Sequence, residues 1–397
     1  ARKVIISAPT KGDAATIVLD GSELTIASAL TLDAEGREIT VDAEGQSRVL
    51  NQRIADVPLT VMGLTLTGGR ALLEGGAIRS SGELTLIDTV VMDSVAQSVY
   101  VSLPLRGSEE QPGVGGGIFG EAAVTLIDSV VTGNTASLAG GIAGNTVSAL
   151  RSSISGNIAD GYWSYTSGTV SIAAETRGGG ILASDVGLIN STVSGNTSNG
   201  FTGFFGSGGA YGGGVYADET TLVNATVTGN ATIQDRAVAV VSAPQWSRGG
   251  IHGPAVRMFN SVVAGNWAGG TRDDVGGTIV EQVASLVGGD GRLLFADTVE
   301  MAPGIYGGVA SDNGGPTPTV ALLASPDNPA LDAGHNDAAV WDGTALAGDQ
   351  RGETRVADGD GDGVAIVDIG AVEVSALSGA LHGGFALAEN LPAGTVV

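Results

Sequence analysis

Residues 178–196 read GGGILASDVGLINSTVSGN, one period of a degenerate repeat that runs through the first three quarters of the chain. Related copies begin at Gly75 (GGAIRSSGELTLIDTVVMDS), Gly115 (GGGIFGEAAVTLIDSVVTGN), Gly140 (GGIAGNTVSALRSSISGN), Gly212 (GGGVYADETTLVNATVTGN) and Gly249 (GGIHGPAVRMFNSVVAGN). A degraded forerunner, VMGLTLTGG, occupies 61–69. A short period repeated this often signals one supersecondary unit stacked on copies of itself.

Aligned on their ends, the copies alternate. Ile127/Ser129/Val131, Ile189/Ser191/Val193, Val223/Ala225/Val227 and Phe259/Ser261/Val263 fall on one face, and mostly small polar residues fall on the other. A period of two with β-branched residues predicts strand, with that face buried in a narrow interior. Each strand then meets Gly-Asn, at 133–134, 156–157, 195–196, 229–230 and 265–266. Both residue types tolerate positive φ and turn the chain sharply. Stacking would set the Asn side chains above one another as an amide ladder, fraying at Asp93-Ser94. A core of about twenty residues followed by an insert at a fixed position predicts a solenoid rather than a hairpin sheet. The expected fold is therefore all-β: a right-handed parallel β-helix with rungs about 4.8 Å apart, an N-terminal cap and an irregular C-terminal cap region.

Composition agrees. Of 397 residues 65 are glycine and only 4% are aromatic, which suits turn-rich coils around a thin interior. The net charge of −24, with lysine only at Lys3 and Lys11, argues against nucleic acid and anionic membrane surfaces and favours divalent cations. An anionic polysaccharide would be repelled unless calcium or a local arginine cluster intervened. No cysteine is present, so disulfides and thiol chemistry are excluded. No apolar run is long enough to insert in a membrane, and Ala1 opens without a signal-peptide pattern, so a leader is expected to have been removed or to lie outside this sequence.

In order, residues 1–56 read as cap and first rungs, 57–270 as regular coils with long inserts, 271–375 as last rungs and C-terminal cap region, and 376–397 as a linker and a new segment. The Pro-, Gly- and Asp-rich stretch 310–334 is expected to wrap the end of the solenoid. The inserts follow the Gly-Asn turns and should share one flank. They carry Tyr162, Trp163, Tyr165, Phe204, Phe205 and Trp246, an aromatic set that can pack on itself or stack against sugar rings.

Asp358-Gly-Asp360-Gly-Asp362-Gly363 has hard oxygen ligands spaced by two, as in the first half of an EF-hand-like loop. Position 12 is Ile369, so a full EF-hand is excluded; an irregular calcium site with Asp368 remains, with a structural role. Arg351 and Arg355 are expected to pair with Asp349, Glu353 or Asp368. For catalysis the candidates are Tyr211, Arg248 and His252, near the starts of adjacent rungs. A polysaccharide lyase needs such a base and a charge neutraliser, but the coils lack lysine and present no matched pair of acids.

The motifs GLTLTGG (63–69), GGGI…STVSGN, DNGGPTPTVALL (312–323), NPALDAG (328–334) and DQRG…R…DGDGDG…DIGAVE (349–373) together resemble bacterial extracellular right-handed β-helix proteins that carry a choice-of-anchor Q region. The tail AENLPAGTVV (388–397) resembles the opening strand of cadherin-like repeats. The resemblance implies a piece of a longer exported multidomain chain at the bacterial surface. It leads to the expectation of a non-catalytic scaffold for adhesion or recognition of a surface glycan or cell-surface partner, with a polysaccharide lyase acting on a uronic-acid polymer as the alternative.

Overall fold

A computed structural model describes residues 2–6, 14–103, 107–161, 163–166, 170–173, 175–200, 202–203, 206–207, 209–234 and 248–375. The chain winds into a right-handed parallel β-helix of three faces. A 13-stranded, a 10-stranded and an 8-stranded sheet run along it, and neighbours within each are successive coils. Strand Ile181–Ile189 lies between Ile142–Leu150 and Val215–Val223 in the first sheet, and Thr192–Ser194 lies between Ser153–Ser155 and Thr226–Thr228 in the second. Inward positions stack by type. Leu59, Leu84, Val124, Val147, Val186 and Val256 are all at most 3% exposed, with Thr220 taking the place between the last two, so each rung buries mostly apolar surface against its neighbours. The third sheet contributes Ala96, Ala136, Ala159 and Ser198, whose small side chains keep the interior thin.

The alternation read through the end of each repeat is broken. Asp128, Asn190, Asn224 and Asn260 have φ between 45° and 50°, a left-handed corner that ends the first-sheet strand and starts the second. The corner shifts the phase by one residue. Leu126, Leu188, Leu222 and Met258 point inward with Val131, Val193, Val227 and Val263, whereas Ile127, Ile189, Val223 and Phe259 face out. The serine at the corner has its own task. Its hydroxyl accepts the backbone N–H of the previous rung, as Ser152 does from Ser129 at 3.1 Å and Ser191 from Ser152 at 3.1 Å.

The asparagine ladder forms. Nδ2 of Asn134, Asn157, Asn196 and Asn230 donates to Oδ1 of the next asparagine at 2.9–3.0 Å, and each asparagine is fully buried. The ladder starts at Ser94, whose backbone N–H donates to Asn134 Oδ1 at 3.1 Å. It ends at Asp274, which accepts from Asn266 Nδ2 at 2.9 Å and from its N–H at 2.8 Å. A carboxylate suits the last place, since it accepts without needing a further rung to donate to.

Residues 290–374 do not sit over the end of the stack, where the sequence pattern placed their loop. They run back along the outside, across the corner asparagines and the second sheet. Asn260 Nδ2 donates to the His335 carbonyl at 3.0 Å, Asn190 Nδ2 to the Gly348 carbonyl at 2.7 Å, and Thr317 Oγ1 to the Arg151 carbonyl at 3.0 Å. Beneath this strap lies a second apolar core in which Phe295, Val320, Leu322, Ile369 and Val372 pack on the outward-facing Val262 and Ala264. Its polar key is Arg355, fully buried, with Nη1 donating to the Glu373 carboxylate and Nη2 donating to Asn190 Oδ1 and the Gly370 carbonyl, both at 2.8 Å. Arg351 pairs with Asp349 at 2.8 Å.

Candidate functional site

Register alone assembles one polar-aromatic cluster. The residue before each glycine run pairs with its counterparts one rung away, so Arg177, Tyr211 and Arg248 form one column. Four or five residues on, Leu182, Tyr216 and His252 form a second on the outer face of the first sheet. Glycine is required between the columns because the chain there folds into its own next strand. Gly212 has φ 58°, and a Cβ on it would sit 2.3 Å from the Val215 carbonyl oxygen.

The two columns meet. The Tyr211 and His252 rings are 5.2 Å apart, Tyr216 and His252 5.1 Å, and Tyr211 and Tyr216 6.4 Å with an edge-on angle of 71°. The Arg177 guanidinium lies 5.1 Å from the centre of the Tyr216 ring, where it is drawn to the ring's negative face. All three rings are half-buried, and the parts left open to solvent adjoin one another as a shelf. Both arginines are compensated: Arg248 pairs with Asp273 at 2.9 Å and Arg177 with Glu175 at 2.6 Å. Burial and the Arg248 charge lower the His252 pKa, so the imidazole is neutral at neutral pH, and its buried Nδ1 makes no hydrogen bond. Burial, and after it the Glu175 charge, raises the Tyr211 phenol, so it stays protonated.

The structure thus brings Tyr211, Arg248 and His252 together and adds Tyr216, which shares the repeat position of His252. Of the insert aromatics, Trp163 and Tyr165 lie on strand Trp163–Thr166, paired in a hairpin with Val170–Ala173. That hairpin touches Gly107–Gln111 on one side and Gly206–Ser207 on the other, so successive inserts do lie side by side. Tyr162, Phe204, Phe205 and Trp246 lie outside the described residues.

The acidic loop gathers differently from its spacing. Ligand oxygens of Asp358 and Asp360 come within 4.8 Å of one another and of Asp332, which sits in the NPALDAG motif 26 residues upstream. Asp362 and Asp368 are not part of this trio. Asp362 caps the N–H of Val364 at 2.7 Å, and buried Asp368 accepts from the N–H groups of Asp332 at 2.8 Å and Val374 at 2.7 Å. Three hard carboxylates fit calcium in kind but supply only part of the six to eight oxygens it takes; carbonyls or water must complete the set. Asp332, Asp358 and Asp360 would hold the ion, which would tie the 358–363 loop to the strap.

No family model matches the sequence, and no curated protein matches it. A solved structure described as "Crystal structure of pectate lyase Pel9A" is similar with a TM-score of 0.37 at 12% identity, covering 94% of this chain and 87% of that chain. A likeness this distant carries no argument about activity. Among the described residues no helix is long and apolar enough to cross a membrane.

Proposed function

We propose that this chain is a non-catalytic β-helical scaffold of an exported bacterial surface protein, and that it recognises carbohydrate on the shelf of Tyr211, Tyr216 and His252. The carrying observation is three half-buried rings held together by strand register beside two arginines already neutralised by carboxylates. Half-buried rings offer flat apolar faces to a sugar's C–H groups, and polar groups at the rim fix its hydroxyls. The balanced charges favour a neutral sugar over a polyanion. The exported surface setting, with a choice-of-anchor Q region and a cadherin-like continuation, rests on the sequence motifs; the continuation falls at 376–397, outside the described residues.

Glycan-array binding by the full chain tests this. Tyr216→Ala is expected to weaken the best ligand roughly tenfold, the loss of one stacked ring. Unchanged binding would remove the shelf from the proposal. The lyase alternative draws on neutral His252 beside Tyr211 and Arg248. Among the described residues of the cluster no uncompensated cation stands ready to neutralise a uronate carboxylate, since Arg248 and Arg177 are both paired. Unsaturated products from a panel of uronic-acid polymers would reverse that judgement.

Calcium at Asp332, Asp358 and Asp360 belongs to the same proposal. Calcium at about one hundred times its dissociation constant is expected to stabilise the chain by about 2.7 kcal/mol, and chelator to remove the gain. Asp358→Asn should abolish the response; equal unfolding midpoints with calcium and with chelator would mean that the loop is only a turn.

A further inference from the structure

The third sheet is shorter than the other two. Its first strand is Arg70–Leu72, although the first and second sheets begin with Arg2–Ile5 and Ala15–Val18. The early rungs therefore pass this corner as loops, at 19–23 and 43–49, and leave a notch beside the edge strand Arg70–Leu72, whose Arg70 N–H donates to the Ser47 carbonyl at 2.8 Å. A cleft of about 610 Å³ occupies it, with Ser22, Glu23, Ser47, Arg48, Arg53 and Arg70 in its wall.

The charges in this wall do not balance. Arg48, 7% exposed, donates to the Gly75 and Glu74 carbonyls, both at 2.8 Å, and to Glu23 Oε2, so the Glu23 charge is neutralised from within. Asn51 Nδ2 also donates to Glu23 Oε1, and Arg53 reaches the same oxygen only at 3.5 Å. Arg70 is exposed and forms no ion pair among the described residues. Three arginines against one glutamate leave two positive charges in the cleft of a chain whose net charge is −24.

We infer that the notch binds a ligand bearing a carboxylate beside hydroxyl groups, the chemistry of an acidic sugar. Arg53 and Arg70 take the carboxylate, to which their planar forks are matched. Glu23, in the same wall, accepts from a hydroxyl. Leu72, 64% exposed, supplies the apolar wall for the ring. Inorganic phosphate can meet the two arginines but has no ring to lie against Leu72, so it should bind more weakly than an acidic sugar. This site is separate from the aromatic shelf, which lies several rungs away.

Titration of the full chain with glucuronate, glucose and inorganic phosphate tests the inference. Glucuronate should bind, more weakly at higher salt, and glucose and phosphate should bind more weakly than glucuronate. The double variant Arg53→Gln/Arg70→Gln alters only exposed side chains and should keep the wild-type unfolding midpoint while losing about tenfold or more in affinity. Arg292→Gln, at the far end of the stack, makes the same change of charge per site and should leave affinity unchanged. The inference is overturned by no glucuronate binding, by equal binding of glucose or phosphate, or by equal losses in Arg292→Gln and the double variant.

Discussion

Arg355→Ala is expected to destabilise the protein by roughly 3–5 kcal/mol and to release the strap from the flank of the solenoid, leaving the coils themselves wound. The guanidinium is fully buried and serves four groups at once: Glu373, the Asn190 side chain, and the carbonyls of Gly370 and Asn224. Its loss leaves the Glu373 carboxylate in a site already crowded by buried Asp349 and Asp368. Burial raises the Glu373 pKa, and Arg355 offsets part of that rise. Without the arginine the carboxyl should take up a proton, so the damage should be greatest at alkaline pH and least in acid. The measurements are denaturant unfolding and limited proteolysis within 310–370. Cutting there without cutting within the coils is the expected pattern. A variant within about 1 kcal/mol of wild type would mean that the apolar core under the strap, and not Arg355, holds it down.

Asp274 sets a second large effect, one that depends on pH. Burial is the main cause that lifts its pKa from 3.8 to about 6; the hydrogen bonds from Asn266 and the charge of Arg272 oppose the lift, and neighbouring Asp273 adds to it. The folded state therefore holds this proton more tightly than the unfolded chain. The stabilising contribution is complete below 3.8 and is lost as pH rises through about 6, a change of about 3 kcal/mol. Asp368, raised to about 6, acts in the same direction, so the protein should be more stable in mild acid than at neutral pH. Asp274→Asn isolates one group. Relative to wild type, the variant should gain about 3 kcal/mol between about pH 4 and about pH 8, whatever its constant offset. A difference independent of pH would show that Asp274 stays ionised throughout.

The solenoid was legible because its causes are local. Gly-Asn turns, stacked hydroxyls and inward aliphatics recur within each period, and the ladder from Asn134 to Asn266 could be read before any coordinates. The phase of the strands was not, because the corner at Asp128 or Asn190 rests on one left-handed residue that the alternation of Ile, Ser and Val conceals. The strap was hidden for a different reason. Gln350 donates to the Ser152 carbonyl across 198 residues, and no periodicity reports a contact of that kind. The same holds for Asp332, whose place beside Asp358 and Asp360 depends on the strap doubling back. The cluster of Tyr211, Arg248 and His252 was within reach of sequence because a repeat converts position in the period into position in space. The Arg53–Arg70 notch was not, since it comes from strands that the third sheet lacks.

The ladder also has a direction. In every bond from one ladder side chain to the next the amide donates toward the C-terminal end, its other hydrogen going back to a carbonyl of the preceding rung, and the last acceptor is an aspartate that has no amide hydrogen to pass on. A whole period inserted between Asn134 and Asn266 keeps donors and acceptors matched, whereas a period appended after Asp274 meets an acceptor where the chain would need a donor. The ladder can therefore lengthen by insertion but not past Asp274, in steps of one rung, about 4.8 Å each. Distances along the stack, including that between the notch and the aromatic shelf, are quantised in these steps, and a partner that bridges two such sites would be held to a spacing that single-residue insertions cannot tune.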